Sequence, residues 1–202
     1  MTKRDLLAEE EHIKAVLSSD RFLRMEGLGN EVPFFIWAYP PDKELEATAA
    51  EARIRKHLQT TKGLSILEID LYDIALGLLE DRKVLDRLID LEPKRSKEAF
   101  QRDLQKMLDP ERHIIPAIKT RIDAEPGYDV LFLTGIGKVF PFIRSHNILN
   151  NLQTVASGRP MLMFFPGEYR QSPTLGSALV LFDKLPDDQY YRAKSIQEQE
   201  PA

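Results

Sequence analysis

Four short apolar runs constrain this chain more than any other feature. They are Val32–Tyr39 (VPFFIWAY), Leu64–Ile69 (LSILEI), Asp129–Leu133 (DVLFL) and Met161–Phe165 (MLMFF). Each is too short for a typical helix and is bounded by turn residues. They read as nearly continuous apolar stretches, not as alternations of apolar and polar residues. A strand that is apolar on both sides must be covered on both sides, as in a parallel sheet between two layers of helices. A fifth and shorter run, Ala178–Phe182 (ALVLF), reads as another strand.

The segments between the runs carry helical spacing. Leu6, Ile13, Val16 and Leu17 share one face of an amphipathic segment over 3–18. Ala47, Ala50, Ile54 and Leu58 do the same over 43–60, and Lys62-Gly63 ends that helix. Residues 71–91 read as one helix with Leu71, Ala75, Leu78 and Leu79, then Val84, Leu85 and Leu88. A further helix over 96–108 places Phe100, Leu104 and Leu108 together. Asp109-Pro110 is a cap followed by a first-turn proline, and Pro116 beyond it predicts a kink or a late start. Residues 141–155 read as helix in one or two pieces. Alternating strands and helices predict an α/β fold, with a mostly parallel sheet of about five strands and helices on both faces. Residues 71–127 form a helical insertion between strands two and three. One domain spans 1–202, its 194–202 end a polar tail that frays. Phe34–Ile36 and Trp37 are expected in the core.

Composition narrows the function classes. The 202 residues carry a net charge of −4 and 30% charged side chains, so no nucleic-acid footprint covers the surface and no direct contact with nucleic acid is expected. There is no cysteine, which removes disulfides, thiolate zinc sites and cysteine nucleophiles. The first residues lack the apolar core of a signal peptide, and no apolar window approaches the ~18 residues of a membrane span. A cytoplasmic protein is expected.

Ligands of open parallel sheets bind beyond the carboxyl ends of the strands. Four exits therefore matter: Tyr39 onward, Asp70, Thr134–Lys138 (TGIGK) and Pro166–Tyr169 (PGEY). Gly135, Gly137 and Lys138 suggest a phosphate loop, but the spacing fails. Phe132 stands where the first Walker glycine belongs, and Val139 follows the lysine in place of Ser or Thr. A strand-to-helix turn explains these glycines better than an anion nest. Asp70 reads as a helix cap rather than a magnesium ligand. Within Phe142–Leu152 (FIRSHNILNNL), Arg144, Asn147 and Asn151 fall on one helical face, with His146 and Asn150 beside it. So many poor helix formers in one place point to a contact surface, an internal network or a catalytic site. His12, His57 and His113 lie on separate helices, so no metal site is expected, nor any cofactor. Tyr169, Tyr190, Tyr191 and Arg192 are of the residue types favoured at protein interfaces.

These blocks together resemble the BrxB-domain family of bacterial BREX phage-exclusion operons. The resemblance begins at Asp20-Arg21-Phe22-Leu23-Arg24 and Gly27–Ile36. It continues through Gly135, Gly137, Pro141, Arg144, His146, Leu149 and Leu152, then Phe165–Tyr169, and closes at Tyr190–Ala193. It implies a small accessory protein with no catalytic residues to carry over. Its neighbours would be a PglZ-type alkaline-phosphatase-like protein, an adenine-specific methyltransferase and a large ATPase. The implied role is a non-enzymatic assembly subunit, with the PglZ-type protein as first partner. The alternatives are a degenerate P-loop-like nucleotide-binding domain and a hydrolase using His146 and Asp70.

Overall fold

The computed structural model describes residues 5–26, 32–172, 176–187 and 193–201. Gly27–Glu31 and the Tyr190-Tyr191-Arg192 group lie outside them.

Helices α1 (Leu6–Leu17) and α2 (Asp20–Leu23) precede β1 (Phe34–Tyr39), which leads into α3 (Glu44–Lys62) and β2 (Ile66–Asp70). Helices α4 (Leu71–Asp81), α5 (Leu85–Leu91), α6 (Lys97–Met107) and α7 (Ile115–Ala124) then intervene before β3 (Val130–Thr134). Helix α8 (Ser145–Ala156) joins β3 to β4 (Met161–Ser172), followed by β5 (Gly176–Leu181), β6 (Leu185–Asp187) and β7 (Lys194–Ser195). The central sheet has the order β2-β3-β4-β1-β7, and every pairing along that path is parallel.

That order explains the two helical layers. From β1 the chain crosses to the far edge at β2 and returns one strand at a time. Right-handed crossovers in opposite directions fall on opposite faces. On one face α1–α3 cover Phe35, Trp37, Phe132 and Phe164. On the other α4, α5, α6, α7 and α8 cover Phe34, Ile36, Leu131, Leu133, Met161 and Met163. Successive strand residues thus serve opposite cores, which is why the runs lack alternation. Trp37 is fully buried, and its indole N–H donates to Glu9 at 2.8 Å.

Several elements depart from the sequence reading. Residues 71–91 form two helices, because Lys83 takes a left-handed conformation (φ 55°) and its N–H donates to the Glu80 carbonyl. Pro116 sits in the first turn of α7, after one π-type turn over Pro110–Ile114, so the late start holds. Residues 141–144 are not helical, and α8 begins at Ser145. Ala178–Phe182 is not a further parallel strand. β5 pairs antiparallel with the outer half of β4, from Gly167↔Leu181 to Ser172↔Gly176. The three residues between them are far too few for a crossover, which takes about a dozen or more. Pro166–Tyr169 is therefore strand, not a turn. The outermost parallel strand comes instead from the expected frayed tail. Lys194 and Ser195 pair with Phe35 and Ile36, and Ile196 is fully buried. That single isoleucine and the short pairing with β1 hold a tail whose composition is otherwise polar.

A buried ion cluster ties α1 to α3. The Glu10 side chain is 3% exposed and accepts from Arg53 Nη2 at 2.7 Å and from Lys14 Nζ at 2.7 Å. Burial pushes its pKa up, but the hydrogen bonds from Arg53 and Lys14 outweigh burial and hold it below the ordinary value. A carboxylate depressed in the folded state contributes stability above its unfolded pKa and loses it as pH falls through the folded pKa. Glu10→Gln is expected to cost about 2 kcal/mol at pH 7, less than the roughly 3–5 of fully buried pairs because Arg53 is half exposed. The penalty should shrink towards zero below the carboxylate range. Urea unfolding of both proteins at pH 7 and pH 3 measures it.

Candidate functional site

The carboxyl ends of β1, β2, β3 and the parallel half of β4 meet beside the start of α3. Here the chain from β1 turns towards one face while those from β2 and β3 turn towards the other, the arrangement that opens ligand crevices in such sheets. The space is about 60 Å3 and is lined in part by Tyr39, Glu44, Glu51, Glu68, Asp70 and Lys138.

Each of its polar groups is committed within the chain. Asp70 caps α4, accepting from the Tyr72 N–H at 2.7 Å. Its other oxygen accepts from Lys138 Nζ at 2.8 Å. The Asp70 hydrogen bond raises the Lys138 pKa, so the ammonium stays charged. Tyr39 donates to Glu44 at 2.8 Å, and burial followed by the Glu44 charge pushes the phenol far up. Glu51 and Glu68 share Arg55 at 3.0 and 3.4 Å. Burial, then the charge of Glu68, raises the Glu51 pKa.

The glycines of the failed phosphate loop have structural work. Gly135 lies in the left-handed region (φ +76°), and a Cβ there would collide with Asp70 Oδ1. A Cβ on Gly137 would come within 3.0 Å of Phe182 and Pro166. The turn is thus shaped to pass beneath the β4–β5 hairpin and against the Asp70 carboxylate. Sequence reasoning singled out Asp70 and Lys138 without foreseeing that they pair. It placed Tyr39 and Thr134 at strand exits without giving them a role, and it missed Glu44, Glu51 and Glu68. The available signal was Glu68, a lone acid in an apolar strand.

The polar face of α8 lies apart from this cleft, whose lining includes none of its residues. Arg144 is exposed, with its guanidinium 5.8 Å from the centroid of the Phe140 ring. That ring in turn meets Phe182 edge-on at 6.3 Å. Asn150 is exposed, while His146, Asn147 and Asn151 are half-buried. Asn151 donates to the Asn147 carbonyl at 2.8 Å, and His146 has an interaction of its own. Tyr169 donates to the Ala193 carbonyl at 2.6 Å, fastening the hairpin to the chain entering β7. Neither pairing of His146 with Asp70 nor a group of three metal-binding side chains occurs among the described residues. Among them, no helix is long and apolar enough to cross a membrane.

The chain matches the family model described as "BREX protein BrxB" over residues 67–196. It is 38% identical over 172 residues to a protein of that name from Bacillus cereus (strain H3081.97), covering 85% of this chain and 87% of that one. It is 30% identical over 181 residues to one from Escherichia coli O9:H4 (strain HS), covering 90% and 86%. No solved structure matches. The aligned stretch of the family model runs from β2 to the buried Ile196 and takes in the Asp70–Lys138 pair and the whole of α8, and on that match and these two relatives the chain belongs to the BrxB family.

Proposed function

We propose that the chain is a non-enzymatic assembly subunit of a BREX phage-defence complex, docking a PglZ-type phosphatase-like protein through the surface that carries Arg144 and Asn150. The observation that carries this reading is the state of the strand-exit crevice. At about 60 Å3 it is well below the roughly 300 Å3 where ligand pockets begin. Its charged lining is four carboxylates, Glu44, Glu51, Glu68 and Asp70, against one lysine that Asp70 holds, a balance that repels phosphates. The exposed guanidinium of Arg144, steadied on Phe140, is the kind of group that anchors a protein interface.

Purification of the tagged chain from a strain carrying the complete operon tests the reading. The PglZ-type protein is expected to co-purify, and Arg144→Glu to reduce its recovery at least tenfold. Addition of ATP and Mg2+ to the isolated chain is expected to leave its melting temperature unchanged. A thermal shift that disappears in Lys138→Ala would support the nucleotide-binding alternative instead. Recovery of no operon protein at micromolar concentration would sink the assembly role.

A further inference from the structure

The helical insertion carries a groove of about 480 Å3 between α4 and α7, the largest open depression among the described cavities that is formed by helices alone. Its floor includes Ile74, Gly77, Leu78 and Ala117. A Cβ on Gly77 would meet nothing within 4 Å, so the helix opens there onto free space. Glycine in a helix interior costs about 1 kcal/mol relative to alanine, and no packing contact of the chain's own repays it.

The walls of the groove differ in sign. Asp73 and Asp81 stand on the α4 side, Arg112 and Arg121 on the α7 side. Asp81 and Arg112 form no ion pair with another described residue. Arg121 has only an exposed contact to Glu125 at 3.7 Å. Arg82 also lines the groove beside Asp81, with its guanidinium donating to the Met107 carbonyl at 2.9 Å.

Direction follows from the topology. α4 leaves the carboxyl end of β2, and α7 delivers the chain to the amino end of β3, its parallel neighbour. Both helices therefore run the same way past the sheet. Asp73 and Arg112 mark one end of the groove, Asp81 and Arg121 the other. The residues repeat every four positions on both sides, as a helical contact face must.

An acidic wall opposite a basic wall is self-complementary under one operation. A two-fold axis along the groove lays α4 of one copy over α7 of the other, without shifting either lengthwise. Asp81 of each copy then faces Arg121 of its neighbour, and Asp73 faces Arg112, twice each. This is an isologous contact of the kind that closes a dimer. We infer that the α4–α7 face is where two copies of this chain associate, forming a four-helix contact with Ile74, Leu78 and Ala117 at its centre. The inference is independent of the assembly role proposed above.

Sedimentation velocity of the full chain over a range of concentrations tests it. The native chain should approach twice 23.2 kDa as concentration rises. Asp81→Arg and Arg121→Asp each create two like-charge contacts, and each alone should weaken association roughly tenfold or more. Mixed together, the two variants restore both ion pairs, so the mixture should dimerise as the native chain does. Gly77→Gln should also dissociate the dimer while raising the melting temperature, which separates loss of contact from loss of fold. A native chain that stays monomeric overturns the inference, as does a dimer indifferent to both charge reversals. Binding of an operon protein to a monomer through these same residues would overturn it too, and would assign the groove to a partner's helix.

Discussion

Gly135→Ala is expected to destabilise the chain by about 3 kcal/mol, the sum of left-handed strain and a steric collision. The backbone there has φ +76°, and the new methyl group would point into the Asp70 carboxylate. That carboxylate cannot move cheaply, since it holds both the first turn of α4 and the Lys138 ammonium. The two contributions separate in a double-mutant cycle. Asp70→Ala alone should cost about 1 kcal/mol for the lost cap. In that background Gly135→Ala should cost only about 1 kcal/mol, the backbone strain without the collision. Urea unfolding of the four proteins gives the coupling. Simple additivity would mean that the carboxylate and the glycine do not constrain one another.

Ile196→Asp is expected to have a still larger effect, at least about 4 kcal/mol, because it forces a carboxylate into a site with no solvent exposure. Ile196→Ala should cost about 2–4 kcal/mol through lost apolar burial and the cavity left behind. The damage should spread beyond the last residues. Gln197 donates to Glu9 at 2.8 Å, the same carboxylate oxygen that receives the Trp37 indole N–H. Loss of this anchor should therefore appear as a red shift and rise in accessibility of the single tryptophan's fluorescence. A variant that melts like the native chain would show that the tail is dispensable to the core.

The legible parts of the fold were those that one residue type could announce. β1, β2, β3 and the inner half of β4 are continuous apolar runs, and burial on both faces leaves that mark in sequence. Asp70 was legible as a cap because an aspartate after a strand and before helical spacing has few other roles. What stayed hidden depends on distant partners. The outer half of β4 opens on Pro166, Gly167 and Glu168, which are turn residues by local preference; pairing of Pro166 with Tyr39 of β1, and of Gly167 and Glu168 with β5, makes them strand. The division of residues 71–91 turns on Lys83, a non-glycine in the left-handed region, for which sequence gives no sign. Tail docking hinged on one isoleucine among polar neighbours.

The candidate site divided in the same way. Its residue types were visible, but their commitments were not. Lys138 and Asp70 lie 68 positions apart, and Glu68 and Thr134 are brought together only by the parallel register of β2 and β3. The asparagines of α8 looked like one polar patch. In three dimensions Asn151 turns back to its own helix, and mainly Arg144 and Asn150 remain open to solvent.

The place of β1 in the sheet has a consequence for the order of events as the chain acquires its structure. β1 is the first strand made, yet its neighbours are β4 and β7, which begin at Met161 and Lys194. For most of its synthesis a nascent chain would hold Phe34–Tyr39 with neither edge paired. Contacts of such long sequence separation form late and slow folding. The β2–β3 pair with its helices, by contrast, closes within a much shorter stretch and is suited to form first. A ribosome-bound intermediate with an ordered β2–β3 half and an open β1 would display adhesive apolar surface, and so would be a natural client for a chaperone.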